Sequence, residues 1–464
     1  MALLAVLLAI QVSPWWYPTP DAVAYLSIAR GIAVTHRLSN LGGAHLAYPP
    51  GYPLLISPAF LISSRPFLAI SIIHWLMTLV FMVGVYRWTC RMAPAAALVV
   101  TGLSVVNVAF WIYYRRNLSE IAFMTFMIWT VVALDSALEA EGGGSRAIRA
   151  GIGTVLLAAL VLIREPGILV GAGFAIAVLL NIRVGKLRWS EGLGAVAEVA
   201  APAAAAVGGF LMYDRATARV APSRVFGTHL SGFLDPTIPM APRVIEGLRL
   251  RISEVGRLVF PGMFKTYAAH GQWFNINVFI YIAVFTLIAV GWWRLIRLRR
   301  DVFATTIPLY FALYVVWAFD ADTRYLLPLL PAIMVSLWFA VESMTHYPLT
   351  VMATLLVLHL AVAIGYWTAV EIPRAYQCNR QWAVAEAFAT DIKDQPGLIV
   401  ATHQVPQCTR LMLSFLIDRP VPERMSPSDY PDASLILEPT DTSNRASLRV
   451  KRHGLYQLVG ADQR

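Results

Sequence analysis

Apolar runs recur from one end of this 464-residue chain to the other. They cover 2–16, 67–86, 93–112, 118–137, 150–163, 167–182, 193–213, 273–293, 302–318, 325–342 and 350–369, about eleven segments by apolar content. A perpendicular bilayer span takes about 20 residues, so 2–16, 150–163 and 167–182 are short. The first carries too little N-terminal charge for a signal peptide. The other two read as a hairpin around Arg164-Glu165-Pro166. Charged residues make up 14% of the chain, against about 25% in soluble proteins. The expected fold is a polytopic all-α membrane protein.

The basic residues orient it. With the N-terminus in the cytosol, the cytosolic loops hold Arg87, Arg91, Arg146, Arg149, Arg183, Lys186, Arg188, Arg294, Arg297, Arg299 and Arg300. The short outer loops hold Arg115, Arg116, Arg164 and Arg324. That asymmetry satisfies the positive-inside rule, and Trp15, Trp16, Trp111, Tyr113 and Tyr114 fall where an outer aromatic belt belongs. The net charge of +10 sits at the ends of apolar runs rather than along one soluble face, which argues against nucleic acid as a partner.

Three longer pieces then lie outside: 17–66, 214–272 and 370–464. In the second, Val244, Leu248, Ile252, Val255 and Val259 recur at helical spacing among Arg243, Arg249, Arg251 and Arg257, as in an amphipathic helix on a membrane surface. The third has soluble-domain texture. Strands are expected at 397–402 and 433–438, with a helix at 409–417 between them, giving a small α/β domain over 371–464 beside a membrane module over 1–370. Cys378 and Cys408 share this tail and would be free to pair outside the cytosol; spacing alone leaves their pairing open.

Charge is costly near hydrocarbon, yet Asp21, Arg115, Arg116, Glu120, Arg164, Glu165, Asp320, Asp322 and Arg324 all fall at the outer ends of runs. Converging acids and arginines suit a phosphate held by guanidinium forks and a carboxylate beside a reacting hydroxyl. Each also has a plainer reading. Asp21, in YPTPDAVAYLSIARG, is placed to cap a helix, with Tyr25 one turn on. Glu120 suits a helix first turn. Arg164 and Glu165 are adjacent and opposite in sign, so they can neutralise each other. Arg324, beside Tyr325, can snorkel to headgroups. YPPGYP (48–53) reads as a rigid redirecting segment without chemistry, and Gly51 allows a tight bend. His36, His45 and His74 match no metal spacing, and His74 and His359 read as packing residues with one hydrogen bond each. No phosphate-binding glycine motif is present.

PDAVAYLSIARG (20–31), YPPGYPLLISP (48–58), Ser119-Glu120, REP (164–166) and RYLLPLLP (324–331) together resemble membrane glycosyltransferases of the GT-C class, nearest the protein O-mannosyltransferase and aminoarabinose-transferase group. Their order between spans carries the resemblance, which covers roughly 1–370. It implies a GT-C-like bundle with an exported C-terminal α/β domain, in a bacterial inner membrane and working on the extracytoplasmic face. It implies a polyprenyl-phosphate sugar as donor and a lipid, glycan or protein hydroxyl as acceptor. Asp21 matches the family's first-loop acid, followed by Tyr25; Ala22 replaces the second acid often found there. Glu120 matches a further acid at the start of the fourth span.

The implied chemistry is a displacement, inverting if it occurs in one step. Asp21 takes the acceptor's proton, and Arg324, with Arg164, Arg115 or Arg116, offsets charge on the departing phosphate. Tyr25 positions Asp21 or a sugar hydroxyl. Glu120 orients a substrate or helps to hold a divalent ion. The stretch 243–260 covers a lateral entrance for the lipid tail. Two rivals fit a polytopic chain. A secondary transporter or flippase would show repeats or mid-membrane charge; no clear repeat is visible and the acids cluster on one side, Glu198, close to the cytosolic end of its run, being the exception. A non-catalytic assembly scaffold would not need affinity for lipid phosphate.

Overall fold

The computed structural model describes residues 1–43, 48–140, 143–218, 239–260, 276–316, 323–392, 398–424, 433–439, 451–453 and 456–460. Among them, six helices are long and apolar enough to cross a membrane: Phe67–Met92, Glu120–Leu138, Gly144–Ile163, Glu165–Arg183, Val278–Arg299 and Pro348–Ile392. The chain is a multi-pass membrane protein. The remaining apolar runs are also helical, in other forms. Ala2–Ala9 is only 8 residues long, and Val302–Val316 and Leu327–Glu342 are short. Trp189–Ala218 is long but interrupted by Pro202. The run at 93–112 is not one straight helix, because Pro94–Val106 and Val108–Arg115 meet at 48°. Asn107 causes the break. Its ψ of 133° leaves the helical region, and its Oδ1 accepts from Ala109 N–H to start the next helix, the usual way a polar side chain restarts a helix.

The stretch expected to lie on the membrane surface is a helix, Met240–Val259, with a less simple arrangement of faces. Arg243, Arg251 and Glu254 point inward and are buried, while Ile245 and Leu248 are exposed. Gly247 permits this seating. A Cβ there would stand 1.8 Å from the Val315 carbonyl oxygen, so any side chain would push the helix off its neighbour. Asn107 Nδ2 and His359 Nε2 bond to the carbonyls of Leu258 and Val259 at 2.8 and 3.0 Å, satisfying carbonyls that a helix end leaves open.

In the C-terminal tail, helices Trp382–Ile392 and Gln407–Ile417 pack on each other beside a five-stranded sheet. Its strands are β1 (Leu398–Thr402), β2 (Glu423–Arg424), β3 (Ala433–Pro439), β4 (Lys451–His453) and β5 (Tyr456–Gly460), in the order β2-β1-β3-β5-β4. β1 is parallel to β2 and β3, and β5 is antiparallel to β3 and β4. Both strands and the helix expected from sequence are present. Cys378 and Cys408 form a disulfide across 30 residues, with Cα atoms 5.5 Å apart. By loop entropy such a closure stabilises by about 3–4 kcal/mol.

At the opposite end of the Glu120–Leu138 helix from Glu120, two buried acids start the Val302–Val316 helix. Asp135 Oδ1 accepts from Val302 N–H at 2.9 Å, and Asp301 Oδ1 accepts from Ala304 N–H at 2.6 Å. Burial pushes the Asp301 carboxyl up to about 6, although Ala304 N–H and Arg91 oppose the rise. A raised native pKa stabilises below the unfolded value near 4 and loses that contribution as pH climbs through 6. Asp301→Asn keeps the cap and removes the charge. It is expected to raise the unfolding free energy at pH 7.5 by on the order of 2 kcal/mol, seen as a higher thermal midpoint, and to leave the midpoint unchanged at pH 4; a midpoint equal to wild type at both pH values contradicts the assignment.

Candidate active site

The site begins with a cap that is not Asp21. Thr19 caps the Pro20–Arg30 helix, its Oγ1 accepting from Ala22 N–H at 3.2 Å, and Pro20 occupies the first turn. Asp21 is thereby freed for long-range contacts. Its Oδ1 accepts from the Tyr48 hydroxyl at 2.7 Å, and its Oδ2 accepts from Arg324 Nη1 at 2.6 Å. Both partners of the ion pair are about one-fifth exposed, so the carboxylate is reachable yet screened less than a surface pair. Arg324 Nη2 donates to the Tyr325 hydroxyl at 3.1 Å.

A second ion pair stands beside the first. Arg164 Nη1 donates to Glu120 Oε1 at 2.8 Å, so Arg164 is matched by an acid from another helix rather than by adjacent Glu165, which is exposed. Glu120 is 2% exposed. Its Oε2 has no hydrogen-bond partner among the described residues. Tyr25 joins the two pairs. Its hydroxyl is 3.1 Å from Ser119 Oγ, and its ring lies 4.8 Å from that of Tyr48 and 5.1 Å from that of Tyr52. Burial pushes the Tyr25 phenol well above its usual range; Arg164 pulls it down while Asp21 and Glu120 push it up. Burial likewise raises Tyr48, reinforced by Asp21. Both phenols therefore remain hydrogen-bond donors at neutral pH. Burial, the largest influence, works against the Arg324 charge, but Asp21, Glu120 and Tyr325 together outweigh it and the net shift is upward.

The other expected residues lie around this core. Tyr325 stacks on Tyr314, centroids 5.0 Å apart. Arg115 is buried with its guanidinium 5.9 Å from the Trp367 ring. Arg116 lies over Tyr17 and Tyr113 at 5.6 and 5.5 Å, and the Tyr113 hydroxyl is 3.3 Å from Thr323 Oγ1. The 115–116 pair thus flanks Arg324 through Tyr113 without pairing with Asp21 or Glu120. Asp320, Asp322 and His45 lie outside the described residues. Among those described, no three His, Cys, Asp or Glu side chains gather as metal ligands, and Asp21 and Glu120 each face a guanidinium.

Four features escaped the sequence reading. Tyr48 belongs to YPPGYP, which therefore supplies a direct partner to Asp21. Gly51 in that segment serves a close approach rather than a bend, since a Cβ would stand 2.6 Å from the Leu162 carbonyl. His74 makes two contacts, to the Tyr52 hydroxyl at 2.9 Å and the Tyr114 carbonyl at 3.1 Å. Arg251 is fully buried. Its Nη1 donates to Glu254 Oε2 at 2.7 Å, its Nε and Nη2 have no partner among the described residues, and its guanidinium lies 5.9 Å from the Tyr314 ring. The only sequence signal for Arg251 was an arginine three residues before a glutamate inside an apolar pattern.

No protein-family model matches the chain, and no curated protein is similar to it in sequence. Solved structures are similar in fold. ArnT from Cupriavidus metallidurans, bound to undecaprenyl phosphate, superposes with TM-score 0.61 at 12% identity, over 99% of this chain and 97% of that one. Its apo form gives 0.62 at 12% identity, over 99% and 96%. The oligosaccharyltransferase AglB from Archaeoglobus fulgidus, in complex with an inhibitory peptide and a dolichol-phosphate, gives 0.57 at 10% identity, over 94% and 68%. The chain has the fold of these GT-C glycosyltransferases.

Removing Arg164 alone strands a buried carboxylate. Arg164→Leu is expected to destabilise by about 3–5 kcal/mol, with most of that recovered in the Arg164→Leu/Glu120→Gln double variant. Thermal unfolding in detergent measures both, and additive losses would count against the pair.

Proposed function

We propose that this chain transfers a sugar from a polyprenyl-phosphate donor to a hydroxyl acceptor, on the extracytoplasmic face of a bacterial inner membrane. The observation that carries this reading is the pairing of Asp21 with Tyr48 and Arg324 beside the Glu120–Arg164 pair. The fold shared with GT-C proteins bound to polyprenyl phosphates supports it. The excess of arginine at the other membrane face supports a cytosolic N-terminus and an outward-facing site.

In this mechanism Asp21 is the general base. The acceptor oxygen forms a bond to the anomeric carbon as the carbon–oxygen bond to the phosphate breaks. The electron pair leaves with the lipid phosphate, and the acceptor proton passes to Asp21. A single displacement of this kind inverts the anomeric centre. Arg324 has two roles in sequence. It holds Asp21 ionised in the free protein, and an arriving phosphate competes for its guanidinium. As Arg324 turns toward phosphate, Asp21 loses its cation and becomes more basic when a base is needed. Arg164, Arg115 or Arg116 shares the leaving charge. The uncommitted Oε2 of Glu120 is free to accept from a hydroxyl of sugar or acceptor, and Tyr25 donates within the same pocket. Glu165, Asp322 and Tyr325 complete the substrate-binding set. The Met240–Val259 helix, which buries Arg243, Arg251 and Glu254 and exposes Ile245 and Leu248, covers the side through which the lipid tail would enter.

Masses of lipids copurifying with the protein test the donor. A sugar-bearing polyprenyl phosphate is expected, and the same lipid should convert acceptor in proteoliposomes. Asp21→Asn should lower kcat by about 10²–10⁴-fold while retaining the bound lipid. Full turnover in that variant removes the proposed base. Movement of intact donor across the bilayer without transfer would point to a flippase.

A further inference from the structure

The helix that carries Asp21 is gripped from behind by a residue nearly four hundred positions away in sequence. Asp418 ends the Gln407–Ile417 helix in a left-handed conformation, φ 56°. Its Oδ1 accepts from Ser27 Oγ at 2.7 Å and from Arg30 Nη2 at 2.8 Å. Ser27 and Arg30 belong to the Pro20–Arg30 helix. At about 100° per residue, Tyr25 falls about 40° from Asp21, whereas Ser27 and Arg30 fall about 120° and 180° away. One face of this helix enters the candidate site and the other meets Asp418.

The joint is built from several contacts. Ser27 Oγ also accepts from Leu41 N–H at 2.8 Å, tying the outer loop to the same point. The Arg30 guanidinium lies 4.7 Å over the Phe415 ring, one turn before Asp418. Phe415 in turn packs on Trp16, Phe67 and Trp382, with centroids 5.6, 6.3 and 6.4 Å apart. The Cys378–Cys408 disulfide fastens the start of the Gln407–Ile417 helix to the extension of the last span. The mechanism uses none of these groups, yet together they fix the rotation and depth of the helix that presents Asp21.

We propose that Asp418 is a positioning residue for Asp21. Through Ser27 and Arg30 it sets the pose in which Asp21 meets Tyr48 and Arg324. The proposal rests on the transferase reading for its effect on turnover, but its structural claim stands apart from activity.

The experiment uses the full chain in nanodiscs with two readouts. The first is turnover with donor and acceptor each varied. The second is carbodiimide labelling of carboxylates, read by peptide mass. Asp418→Ala should lower kcat by roughly tenfold, with KM for either substrate changed by less than about twofold, as expected when a reacting group is misplaced rather than a substrate lost. Labelling of Asp21 should rise while that of Asp301, at the far end of the bundle, stays at the wild-type level. Asp418→Asn keeps an acceptor for Ser27 and loses the charge facing Arg30, so it should fall between the two; it decides the matter if the alanine variant does not fold. Wild-type kcat with wild-type Asp21 labelling overturns the proposal. So does labelling that rises equally at Asp301, which marks general loosening. If Asp21 labelling rises selectively in Asp418→Ala but the wild-type protein transfers no sugar from any polyprenyl-phosphate donor, the transferase reading fails while the positioning of Asp21 by Asp418 still holds.

Discussion

A carboxylate at the border of hydrocarbon has to meet a cation or give up its charge. Asp21 meets Arg324, which is 303 positions away in the chain, and the surrounding architecture serves that meeting. Thr19 takes over the capping that would otherwise occupy Asp21. Tyr48 engages the second carboxylate oxygen, so the acid is held at two points. The neighbouring Glu120–Arg164 pair satisfies the same requirement more deeply, and Tyr25 links the two through Ser119 and the ring of Tyr48. Burying two opposite pairs side by side keeps the local net charge near zero until a substrate brings its own.

Asp21 and Glu120 each have a guanidinium, and the tyrosines add donors rather than further charge. In the proposed reaction an entering phosphate would find arginines committed to carboxylates, and an exchange of partners would couple arrival of the leaving group to release of the base. Arg251 reinforces the pattern from the inward face of the Met240–Val259 helix, stacked toward the site through Tyr314 and Tyr325.

The candidate residues were legible because charge is rare in this chain and therefore conspicuous. Asp21, Glu120, Arg164 and Arg324 stood out as charges at the ends of apolar runs, and the structure brings these four together. Tyr48 and Tyr52 did not stand out, since tyrosine at a membrane border is ordinary and the prolines around them suggested a purely mechanical role. Arg251 was hidden for a different reason. In an amphipathic pattern an arginine is assigned to the wet face, but here Arg243, Arg251 and Glu254 are buried together with Val255, Leu258 and Val259. Only the neighbours of a helix decide which side is inside. The break at Asn107 was equally silent, because one asparagine in an apolar run reads as tolerated until its side chain is seen capping the next segment.

By itself the sequence determined that this is a helical membrane protein with an α/β tail. It also showed that the acids and arginines of the site would share one end of the bundle. Those conclusions depend on hydropathy and charge placement, which are local properties of the chain. Which acid pairs with which arginine was decided only in three dimensions. So were the close approach of Gly51 to Leu162, the grip of Asp418 on the back of the Asp21 helix, and the joining of Cys378 to Cys408. Each depends on a distance between segments tens to hundreds of residues apart, and such distances are set by how the helices pack rather than by any neighbourhood in the sequence.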